Sequence, residues 1–199
     1  HLYVYPWVDL QENLQLKSLY SGQKLDPLKL IDEDLKIIKF IKEGRITSQS
    51  NITFNTEHVV PQSWFDGDEP MRGDLHHLFA CEPACNSMRS NYPYHDFRSY
   101  SPEFLSEGIR TGCGMAEDEK FEPEYGKGVA ARAVLYFSLR YKDISMLNNK
   151  MDFDLLLGWH DQHPVTLYER HRNAAIQELQ GNRNPFIDFP ELSREMMNL

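Results

Sequence analysis

The chain has 199 residues, 41% hydrophobic, 26% charged and 12% aromatic, a composition ordinary for a folded globular protein and long enough for a sizeable core without staples. No apolar run approaches the length of a membrane span, and none reads as a signal peptide at His1; the missing initiator Met suggests a mature or trimmed product. The net charge of −9 argues against a general polyanion-binding surface, because nonspecific nucleic-acid affinity comes mainly from Lys and Arg, but it leaves room for a local basic cleft.

In chain order, residues 3–21 carry two apolar patches, and the second alternates into Ser-Gly, which predicts a strand entering a turn. Residues 26–43 predict a helix. Leu30, Ile31, Leu35, Ile38, Phe40 and Ile41 recur near helical spacing, and Gly44 supplies the stop. A polar loop, TSQSN, follows, with a glycosylation-type triplet at Asn51–Thr53. ITFNTEHVV predicts a short strand carrying Glu57 and His58, and WFDGDEPMRGD is turn-rich. LHHLFAC predicts a second strand, on which His76 and His77 would point to opposite faces. EPACNSMRSNY predicts a short helix with Pro83 in its first turn. Residues 98–127 read as irregular. GVAARAVLYFSLRY is apolar nearly all round and predicts a buried helix. Two more helices follow in DFDLLLGWH and PVTLYERHRNAAIQELQG, the last started by Pro164 and ended by Gly181. The expected fold class is α+β, one mixed domain over residues 1–199.

The chemistry gathers in the middle of the chain. A Glu-His pair on a strand, an Asp-x-His-His segment and a helix bearing Asn86 are the parts of a phosphodiesterase. Carboxylate and amide oxygens suit a hard cation such as Mg²⁺, which keeps several waters and needs few protein ligands. A neutral histidine beside it can take a proton from water. Zinc fits less well: His58, His76, His77 and Cys81 or Cys85 are soft ligands, but without the paired spacing of a closed site. Taken alone, an adjacent Glu-His is a surface pair. His160, His163 and His171 read as helix-cap or surface residues, and Trp64 and Trp159 as core. Arg132 and Arg140 are expected to pair with acids, with a cleft-facing Arg132 as the alternative. GNRNPFID is expected to dock the terminus. Three cysteines, Cys81, Cys85 and Cys113, allow one disulfide from Cys113 to either of the others, or none.

Several linked stretches carry a resemblance. NTEHVVPQSWF, MRGDLHHL and NSMRSNYPY, followed by FEPEYGKGVAARAVLYFSLRY and WHDQHPVTLYERHRNAAIQELQGNRNPFIDFPEL, resemble the bacterial endonuclease I family, nucleases of the ββα-metal type. The likeness covers roughly residues 52–97 and 119–191. It implies a ββα-metal finger core packed by helices. It also implies a secreted or periplasmic, sequence-nonspecific endonuclease that cuts DNA, and RNA as well, to 5′-phosphate and 3′-hydroxyl ends. Residue by residue, His58 matches the general base, and Glu57 and Asn86 match the ligands of one Mg²⁺, for which Mn²⁺ or Ca²⁺ could substitute. Arg89 falls in a matching motif, placed either near the phosphates or in a structural ion pair; Arg72 is the other candidate to grip the scissile phosphate. Asp74 and His77 are expected to orient the site by hydrogen bonds. A monomer is expected, with nucleic acid as partner and no membrane. The start of the chain matches poorly, so residues 22–50 are expected to be an insertion or a divergent helical lobe. The Cys-bracketed CEPAC also departs from the pattern. The competing expectation is a catalytically inactive metal- or nucleic-acid-binding module on the same scaffold, and a third is a diesterase for another phosphate ester.

Overall fold

The computed structural model describes residues 7–44, 54–100, 112–142 and 149–198. The alternating patch before Ser21-Gly22 forms a strand pair much shorter than its pattern suggests. β1 (Leu16–Lys17) lies antiparallel to β2 (Lys24–Leu25), with Leu16 opposite Leu25. The amide of Leu19 donates to the carbonyl of Ala80, which ties this corner to the central hairpin. Helix α1 (Pro27–Lys42) lies in the segment expected to be an insertion or a divergent helical lobe, and Gly44 follows it at φ +67°, a left-handed value that ends a helix without steric cost. Leu30 is buried with Leu16, Leu25, Phe54 and Ala80, whereas Leu35 and Ile38 stay largely exposed. The glycosylation-type triplet and the whole TSQSN loop lie outside the described residues.

The centre is a hairpin followed by a helix. β3 (Asn55–His58) pairs antiparallel with β4 (Leu78–Cys81), placing Glu57 opposite Phe79 and His58 opposite Leu78. Helix α2 (Pro83–Arg89) follows at once, with Pro83 in the first turn, where its missing N–H costs nothing. The second strand starts later than predicted. Leu75–His77 form a 3₁₀ turn, because the Asp74 carboxylate caps the amide of His76 and curls the chain before it can extend. His76 and His77 therefore do not alternate across a strand. Both are buried.

The stretch expected to be irregular holds a second hairpin. β5 (Gly114–Glu117) pairs with β6 (Lys120–Pro123) through Asp118 and Glu119, both at positive φ. That geometry is the primed turn that hairpins prefer, built here from acidic residues where Asn-Gly would have announced it. Gly114 sits at φ +126°, and a Cβ there would come 2.1 Å from the Glu122 carbonyl, so only glycine fits.

Helix α3 (Lys127–Arg140) is the buried helix that its composition predicts, with Ala130–Phe137 all inside, and it packs mainly on α4 (Phe153–Gln162). α5 (Leu167–Gln180) begins at a capping box between Thr166 and Glu169 rather than at Pro164, and ends at a left-handed Gly181. Arg132 meets Glu169 through two bonds of 2.6 and 3.0 Å inside the protein, and both residues also line a cavity with Tyr125 and His163. Asn184 caps the short α6 (Pro185–Asp188), and α7 (Ser193–Met197) closes the chain. Small antiparallel hairpins wrapped by helices make an α+β fold, with Trp64, Phe79, Phe137, Trp159 and Phe186 at its core. Among the described residues no helix is long and apolar enough to cross a membrane.

Candidate active site

His58 ends β3 with its ring half-buried. Its Nε2 lies 3.2 Å from the carbonyl oxygen of Arg72. A carbonyl can only accept, so Nε2 carries the proton and Nδ1 keeps its lone pair. Nδ1 faces the exposed Gln62 side chain, whose amide nitrogen is 3.3 Å away. Burial lowers the His58 pKa, and the Arg72 carbonyl only partly offsets this. The imidazole is therefore neutral at ordinary pH, with its free nitrogen at the protein edge.

His77 backs this ring. The two imidazoles meet edge-to-face at 5.4 Å, and His77 Nε2 donates to the Met71 carbonyl at 2.7 Å. Burial pushes the His77 pKa down to about 3. Both rings thus hang from carbonyls of one turn, Met71–Gly73. Asp74 fixes that turn from below. Its carboxylate accepts from the His76 amide and from Gln180, Tyr136 and Tyr141. Burial alone would raise its pKa, but these bonds outweigh burial and hold Asp74 below the usual carboxylate range.

Glu57 points the other way, into the core, and is 2% exposed. Its Oε1 accepts from the Tyr20 hydroxyl at 2.7 Å and lies 3.3 Å from Arg89 Nε. Tyr20 in turn shares a 2.7 Å bond with the Tyr94 hydroxyl. Desolvation pushes the Glu57 pKa up to about 7, against the pull of Arg89 and Tyr20. A carboxylate held this dry gains from any further positive charge.

Asn86 on α2 reaches back to β3. Its amide nitrogen donates to Asn55 Oδ1 at 2.8 Å and sits 3.4 Å from the carbonyl of Thr56, the neighbour of Glu57. Those bonds use the nitrogen and leave Asn86 Oδ1 without a donor among the described residues, as is Glu57 Oε2. Two uncommitted oxygens beside one strand fit a hard cation. Among the described residues no group of three or more His, Cys, Asp or Glu side chains gathers to hold an ion. The soft-ligand alternative is dispersed: Cys85 is bonded to Cys113, and His76 and His77 turn their Nε2 atoms to backbone carbonyls. The disulfide, with a Cα–Cα distance of 5.0 Å, fastens α2 next to Asn86 onto the start of β5.

The two candidate arginines separate. Arg72 is exposed, with its guanidinium against Glu69, while its own carbonyl holds His58. Arg89 is 0% exposed. It lies between the rings of Trp64 and Tyr94 and donates to the carbonyls of Val59 and Ser90. Of its two expected places, it takes the ion pair with Glu57, and a phosphate could touch it only by entering the core.

The family model for endonuclease I matches residues 8–191 of the chain. The chain belongs to the endonuclease I family. It is 31% identical over 195 residues to an extracellular deoxyribonuclease of Aeromonas hydrophila, covering 86% of this chain and 78% of that protein. A periplasmic deoxyribonuclease of the same organism is 28% identical over 192 residues, covering 85% of this chain and 74% of the relative. An extracellular ribonuclease of Bacillus amyloliquefaciens is 30% identical over 206 residues, covering 90% and 68%. The secreted or periplasmic location expected from sequence stands, and the Cys85–Cys113 disulfide suits an oxidising compartment.

Sequence reasoning did not single out several residues that shape this endonuclease I site. Tyr20 lies before the stretches that carried the resemblance in sequence, although the family model reaches back to residue 8. Gln62 stands inside NTEHVVPQSWF, but a glutamine four residues after a histidine carries no signal of its own. Arg172 lies in the buried ion pair with Asp9 at 2.7 Å and donates to the carbonyls of Leu75 and Leu78, clamping the histidine turn to α5. A polar residue on the inner face of a helix was the available clue.

Proposed function

We propose that the chain is a metal-dependent endonuclease that hydrolyses phosphodiester bonds of DNA, and of RNA as well, without sequence preference, leaving 5′-phosphate and 3′-hydroxyl ends. The observation that carries the reading is the commitment of His58 Nε2 to the Arg72 carbonyl, which leaves the Nδ1 lone pair facing only the exposed side chain of Gln62. The relatives, deoxyribonucleases in some cases and ribonucleases in others, support both substrates.

In this reading His58 Nδ1 takes a proton from a water that attacks phosphorus in line, as Gln62 yields its place. The bond to the 3′ oxygen breaks, and that oxygen leaves as a hydroxyl after taking a proton from solvent. Arg72 grips the scissile phosphate. Contacts to phosphate carry no base information, which accounts for the lack of sequence preference. Glu57 and Asn86 would hold one Mg²⁺, or Mn²⁺ or Ca²⁺ in its place, which supplies charge neutralisation at the phosphate and the leaving oxygen. Arg89 and Tyr20 keep Glu57 in place, and Asp74 and His77 keep the His58 turn in place. The proposed nuclease acts as a monomer.

The test is digestion of plasmid DNA and of RNA by wild-type protein and by His58→Ala, each with Mg²⁺ and with chelator. Cleavage by the wild type with metal alone, lost in a His58→Ala variant of unchanged circular dichroism, is the expected result. Near-normal cutting by that folded variant would overturn the assignment of the base. Binding without cleavage in every condition would favour an inactive nucleic-acid-binding module.

A further inference from the structure

We infer that Glu69 is a built-in competitor of the substrate phosphate at Arg72, and that it sets the affinity of the chain for nucleic acid. The inference rests on the nuclease reading above. The Nε and an Nη of Arg72 both lie 3.0 Å from Glu69 Oε1, so one carboxylate oxygen spans a whole edge of the guanidinium fork. The other oxygen, Oε2, accepts from the Gly73 amide at 3.0 Å. A Cβ on Gly73 would stand at that same 3.0 Å from Oε2, so the residue beside the clamp has to be small for the carboxylate to close in.

The pair is weak and open. Its side chains are 56% and 57% exposed, the regime in which an ion pair costs little to break. A phosphate offers the guanidinium the same two-point geometry as a carboxylate, so the two anions contend for one group. Glu69 also stays tethered through Gly73 after Arg72 is captured, and its negative charge then faces the phosphate at short range. Asp66 and Asp68, both exposed, add to that field from the same turn. Glu69 therefore penalises substrate capture at the cation expected to make it.

Glu69→Gln keeps the size of the side chain and an oxygen for the Gly73 amide while removing the charge. Steady-state cleavage of a DNA duplex in Mg²⁺ is compared for wild type, Glu69→Gln, Arg72→Ala and the double variant, at low and at high salt. Glu69→Gln is expected to lower KM by about twofold to fivefold at low salt, the size of a surface charge contact, with the change in KM rather than kcat. The gain should shrink at high salt and disappear when Arg72 is already alanine. An unchanged or higher KM in Glu69→Gln, with Arg72→Ala impaired, would overturn the inference and leave the nuclease reading standing, with Glu69 as a support for the arginine. A gain that persists in the Arg72→Ala background would also overturn it, since the charge would then act elsewhere. A raised Mg²⁺ requirement at constant KM would make Glu69 part of the ion site instead. Wild-type protein that cuts nothing would remove the nuclease reading and this inference with it.

Discussion

The carbonyl oxygen of Arg72 lies 3.2 Å from Nε2 of His58, while the guanidinium of the same residue projects to solvent. One residue thus fixes the tautomer of the base with its backbone and offers a phosphate contact with its side chain. The first consequence concerns pH. Burial lowers the His58 pKa, and a general base works only when deprotonated. Activity should hold as pH falls past the ordinary imidazole value of about 6.5 and decline only below it. A profile of kcat/KM against pH checks this; an acid limb centred above the ordinary value would contradict it.

The Tyr20 hydroxyl is the closest donor to Glu57, at 2.7 Å, and belongs to a buried chain with Tyr94. Tyr20→Phe removes that donor and frees the carboxylate to turn. Partners of this kind change metal affinity by about tenfold to a hundredfold. We expect weaker Mn²⁺ binding in calorimetric titration, together with a higher Mg²⁺ requirement for cleavage. Unchanged binding would mean that Glu57 does not hold the ion.

The disulfide closes a loop between residues separated by 28 positions. Chain entropy alone makes such a link worth about 3–4 kcal/mol against unfolding. Cys113→Ser should lower the urea midpoint accordingly, and, because Cys85 neighbours Asn86, weaken Mn²⁺ binding as well. A stability loss with intact ion binding would confine the link to the scaffold.

Two buried histidines tie stability to pH. Burial lowers His76 to about 4 and His77 to about 3, both below the unfolded value of about 6.5. The unfolded chain therefore binds more protons in this window. Their contribution is complete above that unfolded value and shrinks as pH falls, by about 1.4 kcal/mol per pH unit for each histidine. Glu57 acts in the opposite sense. Its folded pKa is raised to about 7, so its contribution is present at low pH and fades as pH rises through that value. Denaturant titrations of wild type and His76→Gln between pH about 4 and about 6.5 isolate the His76 share: the variant's slope should be shallower by about one proton. Equal slopes would show that His76 is charged in the fold.

The helices were legible because their signals are local: the apolar run of α3, Pro83 in the first turn of α2, and Gly181 after α5. So were the strand bearing Glu57 and His58 and a second strand within LHHLFAC, although that one begins only at Leu78. What escaped depends on contacts made across the chain. The β5–β6 hairpin turns on Asp118-Glu119, whose positive φ no sequence pattern advertises. The late start of β4 follows from one capping carboxylate, that of Asp74. Arg89 kept two meanings in sequence because burial decides between them, and burial is a property of the packed molecule. Tyr20 lies 37 residues from Glu57, too far for spacing to link them.

Cys81, buried four residues before Cys85, remains a free thiol. Its burial pushes its pKa up to about 12. Thiol–disulfide exchange needs a thiolate, and this sulfur stays protonated at any pH the folded protein meets. The third cysteine is therefore a spectator to oxidation: once the native link closes, the packed fold protects it from scrambling by the thiol of its own chain.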